Sequence, residues 1–529
     1  MGPEIIHLPD GQNITVKPVF AGLFFKSNDL SHQHAFPIGW TIVIHTEDDQ
    51  DGSQRPAPTP APDAGHQGPN GDSGPLDSHA RPDLEKRKTT IHSFTRPTLH
   101  NDSIFISSVS NPSSQDFKPA ASPTRQIAMM LWVTLYWYFH QPAPPAALTT
   151  EASRLTPEAG RPRGEWRVRI KRDGVLRGRN LIPKLERMGL IASFDSAVGT
   201  ALEDTDEAWA NMFVSRKMFW QIPGRLFLFS LQPNTKNYRS YPGSPNASRP
   251  GSPAQGHVPP PPFGITEISD LPGAPPPTSV TSMPSVPIGP FFSASHLPTY
   301  YPPAPLQYTT TGQVRHPLRP KPPRMGEVFY TRFVASVGQY LSLRVASVSP
   351  KPVPYMGPVG PNPPFQPTLA TLTDTELIQS WHANPRVSAF WGEYTASFLP
   401  DALKSRHSFP VIGLWDGVPF GYFELYWVKE DVLGRYIAAA DDWDRGCHVL
   451  IGEEWARGRV QYWLTSLVHW MFCADFRTQS ICIEPRVDNA RFIQHLAYAG
   501  FTKEREIAFP HKHAWFGRLR REGWEGPAL

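Results

Sequence analysis

Two residues in the last third of the chain have the types and surroundings that acid–base chemistry needs, His448 and Asp488. His448 lies in Asp444-Arg445-Gly446-Cys447-His448-Val449-Leu450-Ile451-Gly452, which reads as a strand running into a Gly/Arg loop and an amphipathic helix. Asp488 follows a second strand in Glu484-Pro485-Arg486-Val487-Asp488-Asn489, and a short helix then ends in Ala499-Gly500-Phe501. Strand, phosphate-sized loop, helix, strand, helix is a layout able to hold a pantetheine-linked acyl donor. It sets one histidine and one aspartate at the mouth of one cleft. Such a pair suits acyl transfer, which needs a nucleophile held against a thioester, a proton acceptor and a stabilised oxyanion.

The segment from Ile451 to Arg459 is where the first N–H groups of the following helix lack partners. A pyrophosphate there gains from those donors and from the helix dipole. Arg457 and Arg459 add charge-assisted bonds, although the spacing of Gly452 and Gly458 by itself favours an ordinary glycine turn. Cys447 neighbours His448, but adjacent strand residues face opposite ways, so the pair does not form a Cys-His nucleophile. Asp441, Asp442, Asp444 and His448 suggest a metal, yet direct transfer from a thioester needs none, and none is expected. Glu424 and Tyr426 share a strand face near the amino-acid end of the pocket, with Trp427 pointing away. Asp488 or Asn489 caps the last helix. His511-Lys512-His513 reads as exposed polar surface.

The elements that must position these groups are well marked. Thr373 to Glu376 is a capping box, opening a helix that buries Leu377, Ile378 and Trp381 and stops before Pro385. Asp416-Gly417 between two apolar runs predicts a hairpin. From Arg459 a helix buries Val460, Leu464, Leu467, Val468 and Met471 on one face. Phe492, Ile493 and Leu496 are the buried face of the last helix, with Gly500 as its stop. The order predicts an α/β (α+β) domain, a mixed sheet with helices on both sides.

The remaining chain reads as an N-terminal α/β domain over 1–238, a Pro/Ser/Gly-rich linker or insertion over 239–324, and the C-terminal domain over 325–529. A chain of 529 residues exceeds one ordinary domain. Its 61 prolines cluster, marking linkers. Residues 46–83 are too polar to offset their ordering entropy and are expected to be disordered. The run Ile127 to Phe139 is shorter than a bilayer span and reads as a buried core helix. Residues 164–195, with Arg167, Arg169, Lys171, Arg172, Arg177 and Arg179, suggest a winged helix able to meet DNA, or a solvated basic face on a structural subdomain. The basic cluster alone favours the latter. A net charge of +4 gives no general reason to expect nucleic acid or an anionic membrane. Three unpatterned cysteines point to a reducing compartment. No signal peptide is evident, and Pro527-Ala528-Leu529 lacks the small-basic-Leu peroxisomal pattern.

The C-terminal domain resembles the GNAT acyl-CoA transferases, in the branch of the aerobactin-type hydroxylysine acetyltransferases. The whole chain is similar to the fungal N5-hydroxyornithine acyltransferases of siderophore biosynthesis. The resemblance rests on four stretches: Trp381 to Val387 with Phe390-Trp391-Gly392-Glu393; Gly421 to Trp427; Asp444 to Gly452; and Glu484 to Asn489 with Ala499-Gly500-Phe501. A looser match lies at Leu131 to His140. The usual pyrophosphate loop, Arg/Gln-x-x-Gly-x-Gly/Ala, is only partly kept in Glu453 to Arg459.

The resemblance implies a GNAT fold for the C-terminal domain, and the strands and helix of the N-terminal half allow a second, degenerate GNAT-like domain packed on it. The resemblance also implies acyl transfer from acetyl-CoA to N5-hydroxy-L-ornithine, giving a hydroxamate for a ferricrocin-type siderophore. His448 would bind the hydroxylamine and move its proton, and Asp488 would orient the amine or act as base. Val449, Leu450, Ile451, Gly452, Arg457, Gly458, Arg459 and Asn489 would meet the acyl-CoA, with a backbone N–H near Val449 to Ile451 for the oxyanion. Trp391, Glu424, Tyr426 and Asp444 would meet the amino acid. The alternatives are anhydromevalonyl-CoA as donor, whose enzymes tend to be peroxisomal, and a non-enzymatic Pro-rich or winged-helix interaction protein. The expected setting is cytoplasmic, without nucleic acid or membrane, and a homodimer is left open.

Overall fold

The computed structural model describes residues 2–28, 39–48, 90–110, 123–178, 181–193, 212–228, 307–438 and 440–529. Of the stretch expected to be disordered, only the end of a strand at 46–48 falls among them. Most of the expected linker, and Arg179 with Asn180, lie outside.

Residues 4–215 form one sheet: β1 (Glu4–His7), β2 (Asn13–Val19), β3 (Gly22–Ser27), β4 (Gly39–Asp48), β5 (Thr90–Ser93), β6 (Asp102–Ser110), β7 (Arg167–Ile170), β8 (Ala192–Ser193) and β9 (Met212–Ser215). Helix α1 (Pro123–His140) lies between β6 and β7 in sequence, and α2 (Ile182–Arg187) between β7 and β8. Twelve consecutive α1 residues, Ala128 to Phe139, are buried, as a helix apolar all round requires. Among the described residues no helix is long and apolar enough to cross a membrane.

A hairpin of β10 (Tyr308–Thr311) and β11 (Val314–Pro317) follows. It corrects the expectation that the insertion runs unstructured to residue 324. The prolines on either side hide a β-prone Tyr-Thr-Thr-Thr run closed by a two-residue turn with positive φ at Gly312 and Gln313.

The C-terminal sheet contains β12 (Val328–Val334), β13 (Gln339–Val345), β14 (Ser408–Trp415), β15 (Val418–Trp427), β16 (Arg445–Ile451), β17 (Ser480–Ile483), β18 (Thr502–Ala508) and β19 (His513–Arg520). Its helices include α3 (Asp374–His382), α4 (Pro385–Trp391), α5 (Val460–Ala474) and α6 (Ala490–Tyr498). The expected capping box starts α3. Asp416 and Gly417, both at positive φ, make the β14–β15 turn.

The two sheets share one topology. The C-terminal order is β12-β13-β14-β15-β16-β17-β19-β18, and the N-terminal order is β1-β2-β3-β4-β6-β7-β9-β8, with β5 added beside β4. Each sheet has one parallel pair, β16 with β17 and β6 with β7, and the long helix lies between its strands in sequence. This is the second GNAT-like domain that the N-terminal strands and helix allow. The winged-helix reading is corrected here: β7 is an internal strand, paired with β6 and β9. Its charges are partly neutralised, Arg167 by Glu165, and Arg169 and Lys171 by Glu47.

The domains pack directly on each other. The His7 and Phe333 rings lie 4.2 Å apart, the Tyr340 hydroxyl donates to the Leu8 carbonyl at 3.1 Å, and Trp220 meets His469 edge-on.

Candidate active site

Strands β16 and β17 pair only at Arg445↔Ile481 and Gly446↔Cys482. Beyond that rung they part. A pocket of about 450 Å³ opens between them, bordered by Cys447 to Ile451 on one side and Ile483 to Arg486 on the other. Helices α5 and α6 close it with Val460, Trp463 and Phe492. Past Gly446 no described strand pairs with the outer edge of β16, where side chains of Trp391 and Arg457 reach the Val449 and Ile451 carbonyls instead.

His448 stands at the fork, 32% exposed on its side chain. Its Nδ1 lies 3.1 Å from Glu424 Oε2 and its Nε2 3.0 Å from Glu484 Oε1. Glu424 is opposite His448 on β15, and Glu484 follows β17. With a carboxylate on each ring nitrogen, the ring is held as the imidazolium. Burial by itself would lower its pKa, but the two carboxylates outweigh that and raise it to about 10. Glu484 is 4% exposed. Burial would raise its pKa, but His448, Lys512 and the Tyr426 hydroxyl bring it down to about 2. Glu424 is likewise lowered, its burial outweighed by His448 and Tyr422.

The surroundings fix this unit. Tyr426 donates to Glu484 Oε2 at 2.8 Å and lays its ring 4.6 Å from that of His448. Tyr422 donates to Glu424 Oε1 at 2.8 Å. Lys512 Nζ donates to the Glu484 carbonyl at 2.8 Å and lies 3.3 Å from its Oε1. A Cβ on Gly446 would come within 2.3 Å of the Tyr426 ring, so the glycine makes room for that tyrosine.

Several expected residues do border the pocket: Val449, Leu450, Ile451, Arg457, Asn489 and Trp391. Trp391 Nε1 donates to the Val449 carbonyl at 3.2 Å, and Asn489 caps α6. Others are placed elsewhere. The Asp488 carboxylate is not brought to His448. It is 56% exposed and paired with Arg486, and it does not cap the helix. Asp444 is fully buried and tied to Arg518 at 2.7 Å. Arg459 turns to Gln339 at 2.7 Å and lies over the Trp415 and Trp455 rings. Gly452 abuts Trp381, and a Cβ on Gly458 would meet nothing. Cys447 is buried, and burial pushes its thiol up to about 12, as suits an inert neighbour.

Sequence reading misses Glu484 as a partner of His448 and Lys512 as a partner of Glu484, although Glu484 lies in a quoted stretch. His511-Lys512-His513 is not merely polar surface, since His511 and Lys512 face the pocket. It also misses Arg386 and Arg491. Both border the pocket with Arg457, and Glu454 lies among the three arginines. Burial, then the charges of Arg386 and Arg491, lower the Arg457 pKa despite Glu454, a setting that favours a bound anion. Among the described residues no group of three or more His, Cys, Asp and Glu is arranged to hold a metal ion.

Residues 370–509 match the family model for the acetyltransferase (GNAT) domain. Fold and site define an acyl-CoA-dependent N-acyltransferase of the GNAT class. The chain is 58% identical to the N5-hydroxyornithine acetylase sidL of Beauveria bassiana (strain ARSEF 2860), over 97% of this chain and 100% of that protein. It belongs to that family of N5-hydroxyornithine acetylases. It is also 35% identical to the N(6)-hydroxylysine O-acetyltransferase of Escherichia coli, over 38% of this chain and 58% of that one. It is 32% identical to the N(5)-hydroxyornithine:cis-anhydromevalonyl coenzyme A-N(5)-transacylase SIDF of Beauveria bassiana (strain ARSEF 2860), over 42% of this chain and 48% of that one.

Proposed function

We propose that the protein transfers the acetyl group of acetyl-CoA to the hydroxylated nitrogen of N5-hydroxy-L-ornithine, forming a hydroxamate for ferricrocin-type siderophore assembly in the cytoplasm. The observation that carries this reading is the Glu424–His448–Glu484 unit at the fork of β16 and β17, in a chain alike over its full length to an acetylase. Acetyl is favoured over anhydromevalonyl because the likeness to the transacylase covers less than half of each chain.

A neutral hydroxylamine nitrogen is already a good nucleophile, so the site needs to position it and move protons. The nitrogen attacks the thioester carbon, forming the C–N bond. The nitrogen then loses one proton, the C–S bond breaks, and the departing thiolate takes up one proton. A unit of carboxylate and imidazolium serves both ends. A Glu424 or Glu484 carboxylate accepts the proton from nitrogen, and the His448 imidazolium donates to sulfur. Return of the carboxylate's proton to the imidazole restores the starting state. The open edge of β16 offers backbone N–H groups to the oxyanion, and the Arg386, Arg457 and Arg491 group suits the donor's phosphates.

The test is thiol release with acetyl-CoA and N5-hydroxy-L-ornithine, with ornithine as control and the product mass recorded. Addition of one acetyl group to the hydroxylated substrate alone is expected. Silence with acetyl-CoA but turnover with a branched acyl-CoA would move the donor assignment, and silence with every donor would overturn the reading.

A further inference from the structure

We propose that Arg486 and Asp488 form a two-charge reader for the amino-acid head of the acceptor, Arg486 taking the α-carboxylate and Asp488 the α-ammonium. This deepens the proposed function and rests on it.

The geometry starts from Glu484. The chain runs extended through Pro485 to Arg486, which bridges to Ala514. Residues two apart on an extended chain share a face, so Glu484 and Arg486 both border the pocket. Their Cα atoms are separated by about 7 Å. In an extended N5-hydroxyornithine, the reacting nitrogen and the α-carbon are about 5 Å apart by standard bond lengths, and the carboxylate reaches farther. A substrate nitrogen at the Glu484–His448 fork therefore brings its head to the level of Arg486.

Arg486 is held ready. Its guanidinium lies 4.5 Å over the Phe390 ring, its Nη1 donates to the Ala389 carbonyl at 3.0 Å, and its Nε lies 3.0 Å from Asp488 Oδ1. Both members of the pair are open to solvent, at 38% and 56% of their side chains. An ion pair so exposed adds little to stability. A zwitterionic head is its electrostatic complement, positive group to Asp488 and negative group to Arg486.

The experiment pairs two variants with three acceptors, all with acetyl-CoA. The acceptors are N5-hydroxy-L-ornithine, N-hydroxyputrescine, which lacks the carboxylate, and 5-(hydroxyamino)pentanoate, which lacks the amine. Arg486→Gln is expected to raise the acceptor KM on N5-hydroxy-L-ornithine by about tenfold to a hundredfold, the weight of a charge-assisted bond. That penalty should largely vanish on N-hydroxyputrescine. Asp488→Asn should show the reverse preference, its penalty vanishing on 5-(hydroxyamino)pentanoate. The KM for acetyl-CoA should not move in either. Equal losses on all three acceptors, or a raised KM for acetyl-CoA, would overturn the reader while leaving the acylation reading intact. A wild-type protein that acylates no hydroxylamine would overturn both.

Discussion

His448 and Glu484 each lie two residues beyond the last paired rung of β16 and β17, Gly446↔Cys482, and their side chains meet at 3.0 Å across the gap that opens there. In a parallel pair, positions equally far past a rung stay level, and a step of two keeps both on the same face. This contact is thus a product of strand register. The N-terminal domain supports this. From its rungs Ser103↔Arg169 and Ile104↔Ile170, the positions matching His448 and Glu484 are Ile106 and Arg172, and Ile42, paired with Ile106, matches Glu424. The topology is repeated without the histidine and its two carboxylates.

Removing Glu484 tests the contact. Glu484→Gln is expected to lower kcat/KM by about 10²–10⁴-fold, the range of general acid–base contributions. It should also bring a new inflection into the pH profile. With one carboxylate gone, the His448 pKa falls from about 10, so the variant loses its imidazolium at lower pH than the wild type does. Rates in both proteins across pH 6 to 10 check this, and superimposable profiles would count against the relay.

The glycine beneath Tyr426 gives a second test. Gly446→Ala puts a methyl within 2.3 Å of the ring that donates to Glu484. Overpacking of this kind costs about 1–3 kcal/mol. The variant should unfold at lower temperature and lose kcat, because a displaced Tyr426 loosens Glu484. Unchanged melting and kcat would mean the ring has room elsewhere.

Much of this architecture is legible in the sequence where rules are local. The Thr373 to Glu376 capping box, the Asp416-Gly417 turn and the apolar run of α1 each depend on residues close in the chain. The His448 strand is found the same way. Its surroundings are not, because Glu484 meets His448 through the β16–β17 register and Lys512, which bonds Glu484, arrives from the β18–β19 connection. Asp488 looks equally eligible on paper. Only the turn at its position shows its carboxylate folded back onto Arg486. The repeated N-terminal topology is hidden by very short strands such as β8.

The arginine group at the donor end should act on binding. Arg457→Ala and Arg386→Ala are each expected to raise the KM for acetyl-CoA by about tenfold, as for one lost charge-assisted bond. The KM for the hydroxylamine should stay near the wild-type value. Arg459→Ala should affect the acetyl-CoA KM far less, since its guanidinium is engaged by Gln339. Steady-state titration of each substrate separates these outcomes, and a larger donor effect at Arg459 than at Arg457 would reverse the assignment.

The same ion cluster makes folding stability depend on pH in a definite direction. His448 has a raised pKa, so its contribution is complete below the ordinary 6.5 and is lost as pH climbs through about 10. Glu484 has a lowered pKa, so its contribution is complete above the ordinary 4.5 and is lost as pH falls through about 2. Both are complete only between those ordinary values, at about pH 4.5–6.5. A double variant, His448→Gln with Glu484→Gln, removes both titrations without leaving one member of that pair charged and unpaired. The wild type's stability advantage over it should therefore be greatest near pH 5–6 and shrink steadily towards pH 10. Urea unfolding of both proteins across that range measures the gap, and a gap that stays constant or widens with rising pH would refute a folded-state imidazolium at His448.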